Sequence, residues 1–582
     1  MTLALTVLVA LPVLEIILRA GWSTGLEGSS TIVQHLTLIV GMLGGALATR
    51  ESRLLSLSTV TFLPESWKKQ PHWFSQSFSA AITLPLCVAS VQFVQAEREG
   101  GNTFLPGVPL WIIQSILPLG FGMIALRLAY RTSPQWTGRF AGLVLIAAIV
   151  ALGVWSPWTP TNLVWPAMIV LVVAMVLGAP VFVTLGGAGL ILFWGADQPI
   201  AALPVEHYRL VTNPAPPSLH CLRSPVISWR KAVRLARLVR GFQAVVGSLR
   251  GGPAIATALL CAFFTSLSEG SGVTILALGG LLMPVLVAAN YSERDALGLV
   301  TGAGSLGIFL PPCLPVILYA IIAKVGIKEM FIGGLLPGLL LIAMTAAWGM
   351  WAGRKSVSPN AKFNLADAQA AIWEAKWELL LPVVSLGTLF SGWATPVEAA
   401  AVTALYAFFI EVIVHRDLKI VRDCPRVLTE AGMLIGGILL ILGVALGLTN
   451  YLIDAQAPDT LAAWAAVHVQ SRWVFLLGLN LVLLLVGGLV EIYAAIVVVV
   501  PLIVPIGVSL GLNPVHLGII FLANMELGFL MPPVGLNLLL ASSRLKKPMG
   551  EMIRAVLPLL IVMLIGVLLI TYVPALTTAL LP

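Results

Sequence analysis

A few polar side chains stand inside otherwise apolar stretches of this sequence, and their types suit ion and substrate coordination. Ser268, Gly270 and Ser271 form one group, Gly302, Gly304, Ser305 and Gly307 a second, and Gly488, Glu491, Asn524, Glu526 and Gly528 a third. A serine hydroxyl offers a cation a neutral oxygen without placing a permanent charge in lipid. Glycine lets backbone leave the helix and expose its carbonyls. Glu269, Glu491 and Glu526 are ionisable groups in apolar sequence, which makes each a functional candidate. Plain alternatives stand beside these readings: small residues serve close helix packing, and Glu491 and Glu526 can be hydrogen-bonded structural carboxylates.

The elements that would position these groups occur twice. Ser305-Leu306-Gly307-Ile308-Phe309-Leu310-Pro311-Pro312 recurs as Glu526-Leu527-Gly528-Phe529-Leu530-Met531-Pro532-Pro533, an offset of 221 (311 to 532), and the same offset carries Pro284 onto Pro505. A double proline cannot continue a helix, since each ring removes a donor and clashes with the preceding turn. Pro311, Pro312, Pro532 and Pro533, with Asn524 and Glu526, therefore mark helix breaks beside a substrate site, plain kinks being the alternative. Broken hydrophobic segments at matching positions of two halves point to a secondary transporter that binds its cargo near the membrane midplane.

Composition agrees. The chain has 582 residues, 59% hydrophobic and 10% charged, with a mean hydropathy of +0.99, which excludes a soluble globule and calls for a polytopic membrane protein. Cysteines 87, 221, 261, 313 and 424 have no metal spacing, so no metal beyond a coupling ion is expected. The net charge of +8 comes from Lys and Arg in short loops, a topology signal rather than a nucleic-acid footprint. Spans are predicted over 3–19, 31–48, 78–96, 110–126 and 139–154. Basic loops alternate, with Arg50, Arg53, Lys68 and Lys69 in one and Arg127, Arg131 and Arg139 in another, which places the N-terminus in the cytoplasm. The first segment reads as a retained helix, because nothing positive precedes its apolar stretch. No catalytic constellation and no GxxxxGK[ST] loop is present, so neither an enzyme nor an ATP-driven pump is expected.

After about residue 160 Gly and Pro enter the apolar sequence, at Gly178-Ala179-Pro180, Gly186-Gly187 and Gly487-Gly488. Irregular backbone at membrane depth must be buried in protein or line a cavity. The predicted organisation is a four-span module over 1–135, a linker helix over 136–160 and a larger module over 161–582, with repeats at about 161–355 and 375–582.

Phe263-Phe264-Thr265-Ser266-Leu267-Ser268-Glu269-Gly270-Ser271-Gly272-Val273-Thr274, Gly304-Ser305-Leu306-Gly307 with Pro311-Pro312, and Ala394-Thr395-Pro396-Val397-Glu398-Ala399-Ala400-Ala401 resemble the large membrane subunit of a tripartite ATP-independent periplasmic (TRAP) transporter. Glu15, Arg19 and Gln34-His35-Leu36-Thr37-Leu38 resemble its small membrane subunit. The resemblance implies a natural fusion with an all-α, inverted-repeat, elevator-type fold of helical hairpins and discontinuous helices. It also implies sodium as the coupling ion, no other cofactor, and a small organic acid delivered by a periplasmic substrate-binding protein across the bacterial inner membrane. Such systems take up dicarboxylates, keto acids and sugar acids such as sialic acid. Sodium would sit among Ser268, Gly270, Ser271, Gly302, Gly304, Ser305, Gly307, Gly488, Glu491 and Gly528, while half-helix N-termini favour a carboxylate. A self-sufficient sodium-coupled anion carrier is the alternative, disfavoured by the additional four-span module.

Other residues have local readings. Thr395-Pro396 followed by Glu398 reads as a helix start with a capping pair. Glu15 and Arg19, spaced i, i+4, read as an intrahelical ion pair that eases insertion, with a contact between modules as the alternative. His35 reads as a packing residue, and Trp22, Trp155 and Trp158 as interface anchors. Between Asn213 and Phe242 the sequence departs from the family pattern. Codons can be chosen so that a shifted frame over roughly 219–235 restores the family's apolar helix; the other reading is a genuine basic amphipathic segment carrying Arg230, Lys231, Arg234, Arg237 and Arg240.

Overall fold

A computed structural model describes the chain except residues 27, 55, 57–68, 106, 155–159, 214–231, 250, 269, 356–363, 392–393, 417, 469–470, 533–534 and 582. The helices are α1 (Thr2–Trp22), α2 (Ser29–Arg50), α3 (Lys69–Gly100), α4 (Leu110–Gln114), α5 (Ile116–Tyr130), α6 (Trp136–Val154), α7 (Pro160–Val176), α8 (Val181–Gly195), α9 (Ala202–Val211), α10 (Ala232–Val246), α11 (Gly252–Ser268), α12 (Ser271–Ala288), α13 (Glu293–Ala303), α14 (Leu314–Ile322), α15 (Ile327–Ala352), α16 (Leu365–Glu374), α17 (Lys376–Phe390), α18 (Pro396–Phe409), α19 (Cys424–Asp454), α20 (Ala457–His468), α21 (Arg472–Leu489), α22 (Ile492–Ser509), α23 (Pro514–Gly528), α24 (Leu536–Leu545), α25 (Met549–Tyr572) and α26 (Ala575–Thr578). Among the described residues, eleven helices are long and apolar enough to cross a membrane. Four are Thr2–Arg19, Ser29–Arg50, Gln70–Gly100 and Leu110–Tyr130, over the first four predicted spans; the fifth, Trp136–Leu152, is a shorter apolar helix. The chain is a multi-pass membrane protein.

The chain forms two compact units. Unit one holds Met1–Ser224, Ala394–Leu405 and His415–Ala457; unit two holds Pro225–Trp393, Tyr406–Val414 and Pro458–Pro582.

In unit one, α2 lies against α19 at glycine contacts. A Cβ on Gly44 would come 2.0 Å from the Gly432 carbonyl oxygen, and one on Gly436 2.3 Å from the Gly45 nitrogen. Small residues thus let two backbones touch where no apolar solvent effect drives them together. Thr395 and Glu398 form the expected reciprocal cap: Thr395 N–H donates to Glu398 Oε2 at 2.8 Å and Glu398 N–H to Thr395 Oγ1 at 3.3 Å. Arg19 reaches the same carboxylate, with Nη2 3.0 Å from Glu398 Oε2, and Glu15 accepts from the Ser29 hydroxyl. The expected intrahelical Glu15–Arg19 pair thus gives way to contacts between distant segments, because Glu398, fixed at a helix start, offers Arg19 a positioned acceptor. His35 is satisfied by the Thr31 carbonyl at 2.8 Å and the Tyr208 hydroxyl at 2.9 Å. Trp22 is exposed; Trp155 and Trp158 lie outside the described residues.

Unit two carries the duplication in its helix boundaries. The shift of 221 takes both ends of α12 onto α22 (271 to 492, 288 to 509) and the start of α13 onto α23 (293 to 514). Even the caps correspond, since Gly270 and Glu491 precede α12 and α22. Ser292 caps α13 by accepting from Asp295 N–H, and Asn513 caps α23 by accepting from Val515 N–H. Each copy is a hairpin, α11–α12 or α21–α22, followed by an interrupted helix. In the first, α13 runs through a 3₁₀ turn over Leu306–Phe309, and the arms bend by 45° before α14. In the second, α23 ends at Gly528 and α24 starts at Leu536, with Pro532 between them; Pro533 lies outside the described residues.

The basic stretch begins beyond the described residues and emerges as α10. Leu235, Leu238 and Val239 are buried. Arg237 Nη2 lies 3.1 Å from Glu378 Oε1 of α17, and Arg240 pairs with Asp367 at 3.2 Å and Glu374 at 2.9 Å on α16. From Ala232 onward this is a docked helix with matched charges, and Arg237 and Arg240 lie beyond the 219–235 interval of the shifted-frame reading. Arg230, Lys231 and the side chain of Arg234 fall outside the described residues.

Candidate functional site

The first hairpin tip, the first helix break and α24 of the second repeat converge on one buried polar cluster in unit two. Ser268 ends α11, Gly270 and Ser271 open α12, and Ser305 sits between α13 and the 3₁₀ turn. Thr265 donates to the Gly304 carbonyl at 2.7 Å. Each hydroxyl has one proton to give, so the 2.7 Å contact between Thr265 and Thr274 is donated by Thr274, and Ser268 donates to Thr274 at 3.1 Å. The line Ser268, Thr274, Thr265, Gly304 ties both hairpin arms to the break.

Asn537 of α24 supplies the cross-repeat link. Its Oδ1 accepts from Ser271 Oγ at 3.0 Å, and its Nδ2 donates to Ser305 Oγ at 3.1 Å. Ser305 keeps its own proton, and the Glu526 carboxyl lies beside the hydroxyls of Ser305 and Ser271. Positions 305 and 526 are equivalent under the shift of 221, so the duplication brings a serine and a glutamate side by side. All of these side chains are buried, and Glu526 Oε2 has no hydrogen-bond partner among the described residues. The cluster is rich in neutral oxygens, holds one carboxyl and places backbone carbonyls at a helix break, a donor set that suits a small hard cation.

Glycines make that approach possible. A Cβ on Gly307 would lie 2.1 Å from the Ala262 carbonyl and 2.6 Å from the Ser266 nitrogen, and one on Gly304 2.7 Å from Ile275 Cγ1. Other sequence candidates are placed elsewhere. Gly302 faces Leu559, and Gly528 abuts Gly487 and Gly488 backbone, so these glycines let helices pack. Glu491 accepts from Tyr493 N–H at 3.2 Å and caps α22, the structural role weighed against ion binding. Asn524 donates to Asn480 Oδ1 at 2.5 Å, and Thr571 donates to the same oxygen at 3.1 Å, forming a second polar group among α21, α23 and α25. Thr395, Pro396 and Glu398 belong to unit one. Glu269 lies outside the described residues.

Sequence reading missed Thr265, Thr274 and Asn537. Asn537 had a signal: a full amide side chain in an apolar segment four residues after a double proline, where a polar group must find a partner. The threonines had none, since a helical Thr normally satisfies itself on the preceding turn.

Comparison with known proteins gives a consistent picture. The family model described as the DctM component of tripartite ATP-independent periplasmic transporters matches residues 168–576, and the DctQ component model matches residues 8–138. The chain is 37% identical over 404 residues to the C4-dicarboxylate TRAP transporter large permease protein DctM of Pseudomonas aeruginosa, covering 68% of this chain and 92% of that one. It is 31% identical over 480 residues to the isethionate TRAP transporter permease protein DctMQ of Oleidesulfovibrio alaskensis, covering 80% and 74%. Among solved structures, the YdaH transporter of Alcanivorax borkumensis aligns at 15% identity and a TM-score of 0.48, over 73% of this chain and 100% of that one.

Proposed function

Because the chain belongs to the tripartite ATP-independent periplasmic transporter family, with DctQ-like and DctM-like components in one polypeptide, we propose that it carries a small organic acid into the cell by symport with sodium. A periplasmic substrate-binding protein delivers the acid. The observation that carries this reading is the cluster of Ser268, Ser271, Thr274, Ser305, Glu526 and Asn537, which joins elements of both repeats. Hydroxyl and amide oxygens replace a sodium ion's hydration without fixed countercharge, and the carboxyl of Glu526 supplies one negative group. The relatives' names include C4-dicarboxylate, isethionate and ectoine carriers, which supports a small charged solute as cargo. The hairpins and broken helices of unit two move as the carrier, in the manner of an elevator, while the DctQ-like part anchors the assembly in the inner membrane with its N-terminus in the cytoplasm.

The test is uptake by the purified full chain in liposomes under an inward sodium gradient, with succinate, isethionate and ectoine offered singly together with candidate binding proteins encoded beside the gene. Uptake appears only with one matched binding protein. Full-rate uptake of free solute without any soluble protein contradicts the reading.

A further inference from the structure

Unit two also contains a cavity of about 280 Å³ between α10, α12 and α24, with Leu235, Val273, Leu276 and Leu281 among its walls and Arg544 as the one charged residue among the described residues that line it. Gly280 shapes the seat. A Cβ there would lie 2.9 Å from Arg544 Nη2, so the missing side chain lets the guanidinium rest against α12. Arg544 has no ion pair or hydrogen bond among the described residues, whereas Lys547 on the same segment is held by Glu293 at 2.7 Å and Glu551 at 3.4 Å.

A guanidinium stays charged and presents five donors in a fork that fits a carboxylate. Besides Arg544, the described lining residues, Leu235, Val273, Leu276, Ala277, Gly280 and Leu281, carry no polar side chain, so the ligand that complements them has one anionic end and a hydrocarbon body. The volume falls just below the roughly 300–1,000 Å³ of sites for drug-sized ligands. The seat is open on one side, with Leu276 40% exposed at its rim, and takes one short chain.

We infer that this cavity binds a single-chain amphiphilic carboxylate, its head on Arg544 and its hydrocarbon along Leu235, Val273, Leu276 and Leu281. The site is distinct from the polar cluster, although the same helices build both: α12 carries Ser271 and Thr274, and α24 carries Asn537. Gly280 lies about 13 Å along α12 from Ser271 at 1.5 Å per residue. A bound chain braces the second arm of the hairpin against α24 and α10, and so restrains the element that carries Ser271. This holds whether or not sodium drives transport.

The test uses the full chain in zwitterionic nanodiscs with Leu276→Cys as reporter, its alkylation followed by mass spectrometry of the peptide containing position 276. Butyrate, hexanoate and octanoate are the probes. Each slows alkylation, and the half-effect concentration falls about fourfold per added methylene, the factor that burying one methylene gives. Arg544→Gln raises the half-effect concentration of octanoate about tenfold, Arg544→Lys restores part of the effect, and Gly280→Val, which displaces the guanidinium while keeping its charge, acts like Arg544→Gln. An unchanged alkylation rate without probe shows that each variant keeps the local fold. Three results overturn the inference: no protection by any carboxylate, protection that is unaltered in both Arg544→Gln and Gly280→Val, or protection by phosphatidylglycerol in the nanodisc and not by octanoate.

Discussion

Asn537 of the second repeat holds Ser305 of the first, its Nδ2 donating to Ser305 Oγ at 3.1 Å while its Oδ1 accepts from Ser271 at 3.0 Å. One amide therefore ties the first hairpin and the first helix break to the far side of the second break. A buried amide left without these partners costs about 1–3 kcal/mol, so the three residues are mutually constraining, and they place two hydroxyls beside Glu526.

Asn537→Ala removes the bridge and frees both serines. Expected are a loss of roughly 1–3 kcal/mol in stability and at least a tenfold fall in uptake, read by thermal unfolding and by flux in liposomes. Ser305→Ala removes one oxygen with almost no change in packing; it weakens apparent sodium affinity while expression stays at the parent level. Normal sodium dependence in both variants would show that the cluster is structural.

Gly307→Ala and Gly528→Ala test the close approaches. The added Cβ would meet Ala262 and Ser266 backbone at position 307, and the Gly487 carbonyl carbon at 2.7 Å at position 528. Backbone cannot rotate away as a side chain can, so overpacking of roughly 1–3 kcal/mol is expected at each. Thermal unfolding in detergent measures it, and Gly437→Ala, where a Cβ meets nothing within 4 Å, serves as the neutral control.

Arg19 and Glu398 test how much of a salt bridge's value is a cap. Arg19 is 47% exposed at its side chain and Glu398 7%. Screening by solvent limits the pair to about 1 kcal/mol or less, whereas losing a helix cap costs about 0.5–2 kcal/mol. Glu398→Ala is therefore the more destabilising change, and a double-mutant cycle gives a coupling below about 1 kcal/mol. A coupling several times larger would mean that the ion pair, not the cap, holds α18.

Arg237 and Glu378 test whether α10 is integral to the fold. The pair is largely buried, with side-chain exposures of 16% and 2%, so removing one partner weakens the hold on a buried charge, at a cost of up to about 3–5 kcal/mol. Arg237→Ala should unfold unit two at markedly lower temperature, and Arg240→Ala, at an exposed network, should change stability by less than about 1 kcal/mol.

What was legible in the sequence was what covalent geometry dictates. Pro311-Pro312 and the 221-residue shift gave the broken helices, and α12 and α22 fall on the same shift because the same sequence rules start and stop both copies. Thr395 and Glu398 were readable as a cap, since capping is local. Partner choice was not. Arg19 had Glu15 one turn away in sequence and went to Glu398 in space. Asn537, the residue that joins the repeats, depends on how α24 lies against two other elements, which periodicity does not encode. Glu491 as the cap of α22 and Gly528 as a packing contact of Gly487 were equally hidden, because such neighbours are set by the tertiary fold.

The most direct test of the central claim is the driving ion. The parent chain in liposomes, supplied with its matched binding protein and substrate, is given in turn an inward sodium gradient, the same gradient with potassium, and a proton gradient alone, all without nucleotide. The account predicts accumulation with sodium only, and a sodium requirement shifted to higher concentration by Ser305→Ala. Accumulation driven by protons with sodium replaced by potassium would contradict it.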